Sequence, residues 1–201
     1  MATTHPNTNY SMRHSRRARG VTLIELLVTL VVMAVLVTVA APSFSRLIAS
    51  NRLTSQTNEF ILALNLARSE ATRRGQPVTL LATATASPVF QSGWQIFTDA
   101  DGDGAKGSTA TDGSVLRESA AATGNTTITR VTKSGSTYST ATASDTPDRM
   151  SLTFNALGGK LSGAIAYFKV CDSSISSLPG RVIQVSLVGR ASLYANNVSC
   201  P

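Results

Sequence analysis

Apolar residues are unevenly distributed along the 201-residue chain. Residues 21–41, VTLIELLVTLVVMAVLVTVAA, are apolar at 17 of 21 positions and carry a single charge, Glu25. A helix over this run rises about 1.5 Å per residue, roughly 31 Å in all, which matches a hydrocarbon core of about 30 Å. It is long enough to cross a membrane. Pro42 follows at once. Proline removes a helical hydrogen bond and crowds the preceding turn, so it predicts a kink rather than a stop. Beyond it Phe44, Leu47 and Ile48, then Phe60, Ile61, Leu64, Ala67 and Ala71, fall at three- and four-residue spacings and make one apolar stripe. Arg73 and Arg74 near the negative helix end, with Gly75 after them, supply the stop. The expectation is one long kinked helix over 21–74. Residues 21–41 form its membrane-spanning half, and an amphipathic continuation over 42–75 lies on a folded domain.

After Gly75 the pattern shortens to β-prone runs: Val78–Leu81, Trp94–Thr98, Ser114–Arg117, Thr127–Thr132, Met150–Phe154, Ile165–Val170, Val182–Leu187 and Ala191–Tyr194. Polar Gly, Ser and Asp breaks separate them and no crossover helices intervene, so residues 76–201 are expected to form an antiparallel β-sheet domain. The segment 119–148 is rich in Ser, Thr, Ala and Gly and poor in large apolar residues. It is expected to be an extended hairpin or a flexible loop that adds little core. The order of elements places the chain in the α+β class.

Charge changes the picture at the N-terminus. The chain has 18 Lys and Arg against 11 Asp and Glu, a net +7. Such a balance ordinarily suggests a nucleic-acid or membrane-surface partner. Yet Arg13, Arg16, Arg17 and Arg19 all precede residue 21 with no acid among them. This cluster orients the span with the N-terminus cytoplasmic and residues after 42 outside. Both histidines, His5 and His14, also lie there, so loss of residues 1–20 would leave no imidazole for a Ser-His-Asp triad, a His-ligated zinc or a His base. The run 21–41 is too long for the apolar core of a secretory signal peptide, about 7–15 residues. A plain anchor gives no reason for Glu25, because a carboxylate within a span is costly and usually functional. Glu25 lies one helical turn after Val21, so cleavage after Gly20 would create an α-amine able to neutralise it.

The junction RARG/VTLIELLVTL resembles the signal of type IV prepilins and pseudopilins. Gly20, Thr22, Leu23, Ile24, Glu25 and Leu26 fit it position by position, while Val21 stands where the family usually has Phe. The resemblance implies cleavage between Gly20 and Val21 by a prepilin peptidase, N-methylation of Val21 and a role for Glu25 in assembly with other major and minor pilins or pseudopilins. It also implies a kink at Pro42, a pilin-like fold, and a basic prepilin leader over 1–20. Translation is expected to begin at Met12, since MRHSRRARG is by itself a compact basic leader and residues 1–11 carry no formal charge. Further on, Asn65-Leu66-Ala67-Arg68-Ser69-Glu70-Ala71 with Arg73, Arg74, Gly75 and Gln76 is similar to the FimT/GspH group of minor pilins and pseudopilins. Gly93-Trp94-Gln95-Ile96-Phe97 with Asp99, Phe154 to Gly158, and Cys171-Asp172 look like the same group. Read without the resemblance, Arg68 and Glu70 are simply charges on a solvated helix face.

Three sets of side chains could carry chemistry. Cys171 and Cys200, the only cysteines, fall on the external side where disulfides persist, and are expected to be bridged rather than free. Asp99, Asp101 and Asp103, with Gly104 sixth from Asp99, match the start of a calcium loop. Ala110 stands where such a loop needs its bidentate Glu, so a turn held by Asp side chains is preferred and no cofactor is expected. Residues 75–148 hold four basic and seven acidic residues, whereas 149–201 hold five basic and one acidic. The C-terminal part is thus basic in sequence, through Lys160, Lys169, Arg181 and Arg190. The resemblance to FimT-like competence pilins implies DNA contact through a Gly-Arg-x-Arg turn, but Gly189-Arg190-Ala191-Ser192 keeps only the first Arg.

The leading expectation is a non-enzymatic FimT-like minor pilin, held in the bacterial inner membrane with its globular domain periplasmic and then assembled into a type IV pilus, with DNA as a further partner during natural transformation. The runner-up is a GspH-type pseudopilin of a type II secretion system. A membrane-anchored enzyme is disfavoured by the lack of imidazole and by carboxylates gathered in one turn-like segment.

Overall fold

The computed structural model describes residues 20–84, 89–109, 111–142 and 150–200. The leader, the Met12 start and Ala110 fall outside these residues. One helix, α1 (Leu23–Arg74), is followed by nine strands: β1 (Val78–Ala82), β2 (Trp94–Thr98), β3 (Val115–Ser119), β4 (Thr126–Ser134), β5 (Thr137–Thr140), β6 (Ser151–Phe154), β7 (Ala166–Asp172), β8 (Gly180–Val185) and β9 (Ala191–Val198). The chain is α+β, with a long N-terminal helix and antiparallel sheet.

Residues 43–201 form one compact unit and residues up to Pro42 another. In the N-terminal unit the helix carries apolar side chains on every face and buries none of its most apolar window. Thr29 and Thr38 turn their hydroxyls back onto the carbonyls of Leu26 and Val35, so neither hydroxyl presents an unpaired donor to the surroundings. Pro42 lies inside α1, and the helix continues through it.

In the C-terminal unit α1 buries Ala49, Leu53, Gln56, Thr57, Phe60, Ala63, Leu64, Ala67 and Ala71, the three- and four-residue spacing of one helix face. Phe44, Leu47 and Ile48, assigned to that stripe by sequence, stay more than half exposed. The packed face therefore begins at Ala49. Gly75, at φ 65°, ends the helix by donating its N–H to the Ala71 carbonyl.

The strands make two sheets rather than one: a four-stranded sheet in the order β3-β2-β1-β6 and a five-stranded sheet in the order β5-β4-β7-β8-β9, every pairing antiparallel. Phe60 joins them to the helix. Its ring makes edge contacts with Phe90, Trp94 and Phe168 at centroid distances of 5.4, 5.2 and 5.0 Å. Leu80, Ile96 and Leu152 from one sheet and Ile128, Phe168, Val170, Ile183 and Val185 from the other complete the core.

The segment expected to be an extended hairpin or a flexible loop holds a hairpin: between 119 and 142 lie the end of β3 and the β4–β5 pair. Of its described residues Ile128 alone joins the core cluster, while Thr127 and Thr129, its neighbours in sequence, face the other side. Residues 143–148 of that segment lie outside the described residues. The other strands fall within a few residues of expectation, except β5, whose polar TYST gives no apolar signal.

Candidate functional site

Gly20, Val21 and Thr22 precede the first helical residue, Leu23. The Thr22 hydroxyl accepts the Glu25 N–H at 3.3 Å, and the Thr22 carbonyl accepts the Leu26 N–H at 3.1 Å. Thr22 is thus the N-cap of α1, and Thr22-x-x-Glu25 has the spacing of a capping box. Glu25 gains from the positive helix end but sits in an exposed apolar stretch, with Leu23 82% and Ile24 64% exposed. Nothing in residues 21–41 offers it a cation. The arrangement is a helix start that carries one carboxylate one turn from Val21, with no cation among residues 21–41 to pair with it.

Of the four C-terminal cations, Lys160 and Arg190 lie on turns that touch, the Lys160 N–H donating to the Leu187 carbonyl at 2.9 Å, while Lys169 and Arg181 lie elsewhere on the sheet. Lys160 is buried, and its ammonium donates to the Ser162 carbonyl. In the β7–β8 ladder Lys169 pairs with Val182 and Val170 with Arg181, so Lys169 and Arg181 start on opposite faces of the sheet. Arg190 is exposed in the β8–β9 turn, next to the Val185↔Ala191 pair. That turn lies at the other end of β8 from Arg181, roughly 13 Å along the strand. The sheet register separates Lys169 from Arg181, while the turn that offers Arg190 adjoins the turn after β6 that Arg68 also reaches.

Carboxylate oxygens of Asp99, Asp101 and Asp103 lie within 4.8 Å of one another. Asp99 is fully buried and already engaged: one oxygen accepts the Gly102 N–H at 3.0 Å, the other the Thr79 hydroxyl and the Gly104 N–H. Asp101 accepts the Asp103 N–H and Asp103 the Ala105 N–H. These are the local side-chain to backbone bonds of Asp-rich turns. Burial, and then the charges of Asp101, Asp99 and Asp103, push the Asp112 carboxyl above its ordinary value.

Cys171 and Cys200 are joined, with Cα atoms 5.8 Å apart, which fastens the residues after β9 to β7. The bridge passes over Gly180. A Cβ there would fall 2.6 Å from the Cys200 sulfur and 2.8 Å from that of Cys171. Next to it Arg52 of α1 makes a 2.6 Å ion pair with the fully buried side chain of Asp172. Burial pushes the Asp172 carboxyl up, but hydrogen bonds from Ser174 and Arg52 outweigh it and hold the group below its ordinary value.

Two features escaped the sequence. Arg68 is no idle surface charge: its Nε donates to the Gly158 carbonyl at 3.0 Å and ties α1 to the turn after β6. Glu70 does lie among solvated charges, pairing with Arg73 and Arg74, and their hydrogen bonds lower its carboxyl. The second feature is a run of tyrosines across the five-stranded sheet, on the face away from α1. Tyr167 lies between Tyr138 and Tyr194, at centroid distances of 6.3 and 5.5 Å, and the Lys133 ammonium stands 5.8 Å from the Tyr194 ring centre. The three tyrosines lie far apart in sequence, and only the strand order assembles them.

Comparison with known proteins agrees with this geometry. The family model described as type II transport protein GspH matches residues 56–189, and the prokaryotic N-terminal methylation motif matches residues 15–41. No curated protein matches the chain. Among solved structures, the type IV minor pilin FimU of Pseudomonas aeruginosa, in its P21 crystal form, aligns at 20% identity with a TM-score of 0.53, covering 73% of this chain and 91% of that one. The P65 form aligns at 20% identity and TM-score 0.50, covering 71% and 93%. At this identity the likeness is one of fold.

Proposed function

Because the chain belongs to the GspH family of type II transport proteins, we propose that it is a minor subunit of an inner-membrane-assembled filament. A prepilin peptidase removes residues 1–20 by cutting between Gly20 and Val21, and Val21 is then methylated. The observation that carries this reading is the Thr22-capped helix start, where Glu25 is the one charge among residues 21–41 of an exposed apolar helix. A carboxylate so placed is expensive in lipid or in a packed helical bundle until a cation meets it. In the filament the Val21 amine of one subunit supplies that cation to Glu25 of another. Until then residues 21–41 hold the subunit in the membrane, with the domain from 43 onward periplasmic. The reading needs no cofactor, and the Asp99 loop has a structural part in it.

The test is Glu25→Ala in the full chain. The variant should still be cleaved after Gly20 and inserted in the membrane, while its recovery in sheared filaments should fall at least about tenfold, the scale of one lost ion pair in a dry setting. Wild-type incorporation would contradict the mechanism.

The filament we favour is the type IV pilus, whose minor pilin FimU shares this fold, while the helix motif Asn65 to Ala71 is common to both groups. The second reading, a type II secretion pseudopilus, is favoured by the family model's own description. A deletion strain separates them: loss of twitching with secretion intact supports the pilus, and the reverse supports the secretion system.

A further inference from the structure

The five-stranded sheet packs one face on α1, and among the described residues no helix or strand covers the other, which carries only the residues after β9 that Cys200 ties to Cys171. We propose that this outer face receives the acidic β2–β3 loop of a second copy of the chain, in a head-to-tail contact. The setting is the filament reading, but the contact has its own chemistry and its own test.

The acceptor side is cationic and rich in phenols. By register Tyr167, Lys169, Val131 and Lys133 share this face, and Tyr138 and Tyr194 close over it. Val131 is buried there, so the rings have an apolar floor. Between Lys133, Tyr138 and Tyr194 lies an open cleft of about 430 Å³ that Ser136 and Asn197 also line. Across all five strands the one carboxylate is Asp172, which lies on the Val170 side of the β7 end and is held by Arg52. Phenol O–H groups and ammoniums are donors, and no strand residue on this face supplies a charged acceptor for them.

The complementary surface is on the same molecule but on the other sheet. The loop from 99 to 114 carries Asp99, Asp101, Asp103 and Asp112 against a single Lys106. Asp101 and Asp103 are exposed, and the loop is pinned to the four-stranded sheet through Asp99, Thr79 and Thr153. Mutual repulsion within the loop is relieved by outside cations, and the cleft supplies them. Donor and acceptor surfaces differ, so the contact is heterologous: each copy that docks leaves an acid loop for the next, and the pairing extends rather than closes.

Sedimentation velocity of the full chain in detergent micelles tests this, over a concentration series at low and high salt. Lys133→Glu and Asp101→Lys/Asp103→Lys should each lower the association constant about tenfold, the scale of close charge pairs at interfaces. Both sets of substitutions in one chain should restore it. A mixture of the two singly reversed chains should also associate, because the acid loop of one then meets the Lys133 of the other. All variants keep the same apolar helix, so helix-driven association is constant across them. Carbodiimide coupling of the wild type should join Lys133 to Asp101 or Asp103 between copies. Unchanged association in the single reversals, or no rescue by the combination, overturns the proposal. So does loss of binding to oligo-dT by Lys133→Glu with self-association intact, which would make the face a nucleic-acid platform. Failure here with Glu25→Ala still excluded from filaments removes the docking and leaves the filament reading standing.

Discussion

At the scale of single residues the domain is held at one point by a charge that the core cannot hydrate. Asp172 is fully buried, and Arg52 and Ser174 are its compensation. Its folded carboxyl lies below its ordinary value, so the group stabilises the fold above the unfolded value of about 3.9. That contribution drains away as pH falls through the lower folded value. Arg52→Ala leaves the carboxylate buried with only Ser174, and is expected to cost about 2–3 kcal/mol at pH 7. In urea unfolding of the micelle-bound chain, the variant should lose less stability than wild type on acidification below about pH 4. Parallel pH profiles would assign the pair no role. Gly180 is a second such point. Its missing Cβ is what lets the Cys171–Cys200 bridge pass, with the Val170 carbonyl 2.9 Å from where that Cβ would be. Gly180→Ala should force strand and bridge apart, cost about 1–3 kcal/mol, and raise the free thiol found in unreduced, denatured protein. An unchanged thiol count would show that the strand shifts more easily than the bridge.

At the scale of elements α1 is two helices in composition. From Ala49 onward its buried positions follow one face, whereas from Val21 to Ile48 the apolar side chains remain exposed. The apolar run is broken after Ala41 by Pro42, Ser43, Ser45 and Arg46, so its membrane-length part ends there and Phe44, Leu47 and Ile48 lie beyond it. The domain core leaves those three side chains exposed. On the proposed filament reading they pack on helices of neighbouring subunits. Leu47→Ser with Ile48→Ser should therefore leave membrane insertion and the domain's thermal transition unchanged, yet reduce recovery in sheared filaments. A lowered transition would instead place these side chains in the fold. The helix, its stop at Gly75 and most strands were legible because each has its own local period. The division into two sheets was not, since pairing such as β1 with β6 joins residues more than 70 apart in sequence. The two arginine anchors were missed for the same reason: Arg52 and Arg68 look like solvated charges until the strand order brings Asp172 and Gly158 beside them.

At the scale of the whole molecule the net +7 has to be read by position. The helix start that carries Glu25 was legible because Gly20, Val21, Thr22 and Glu25 are consecutive or one turn apart. The C-terminal cations are divided by the fold: alternation sends Lys169 and Arg181 to opposite faces, Lys160 is buried, and Arg190 stands at the far end of β8 on a turn that touches that of Lys160. Affinity for DNA backbone grows with the number of phosphates a protein neutralises together, with a salt slope of about −0.9 per contact. Lys169 and Arg181 leave opposite faces of the sheet and Lys160 is buried, and the turn that offers Arg190 has Ser192 where a second Arg would add a contact. Gel shifts with the full chain in micelles should accordingly show weak retention that vanishes between about 50 and 200 mM salt. Arg190→Ala should change the apparent affinity by less than about threefold and the salt slope by at most about one. A tenfold loss on that substitution would mean that Arg190 does not act alone, and that Arg68, bonded to the adjoining turn at Gly158, acts with it.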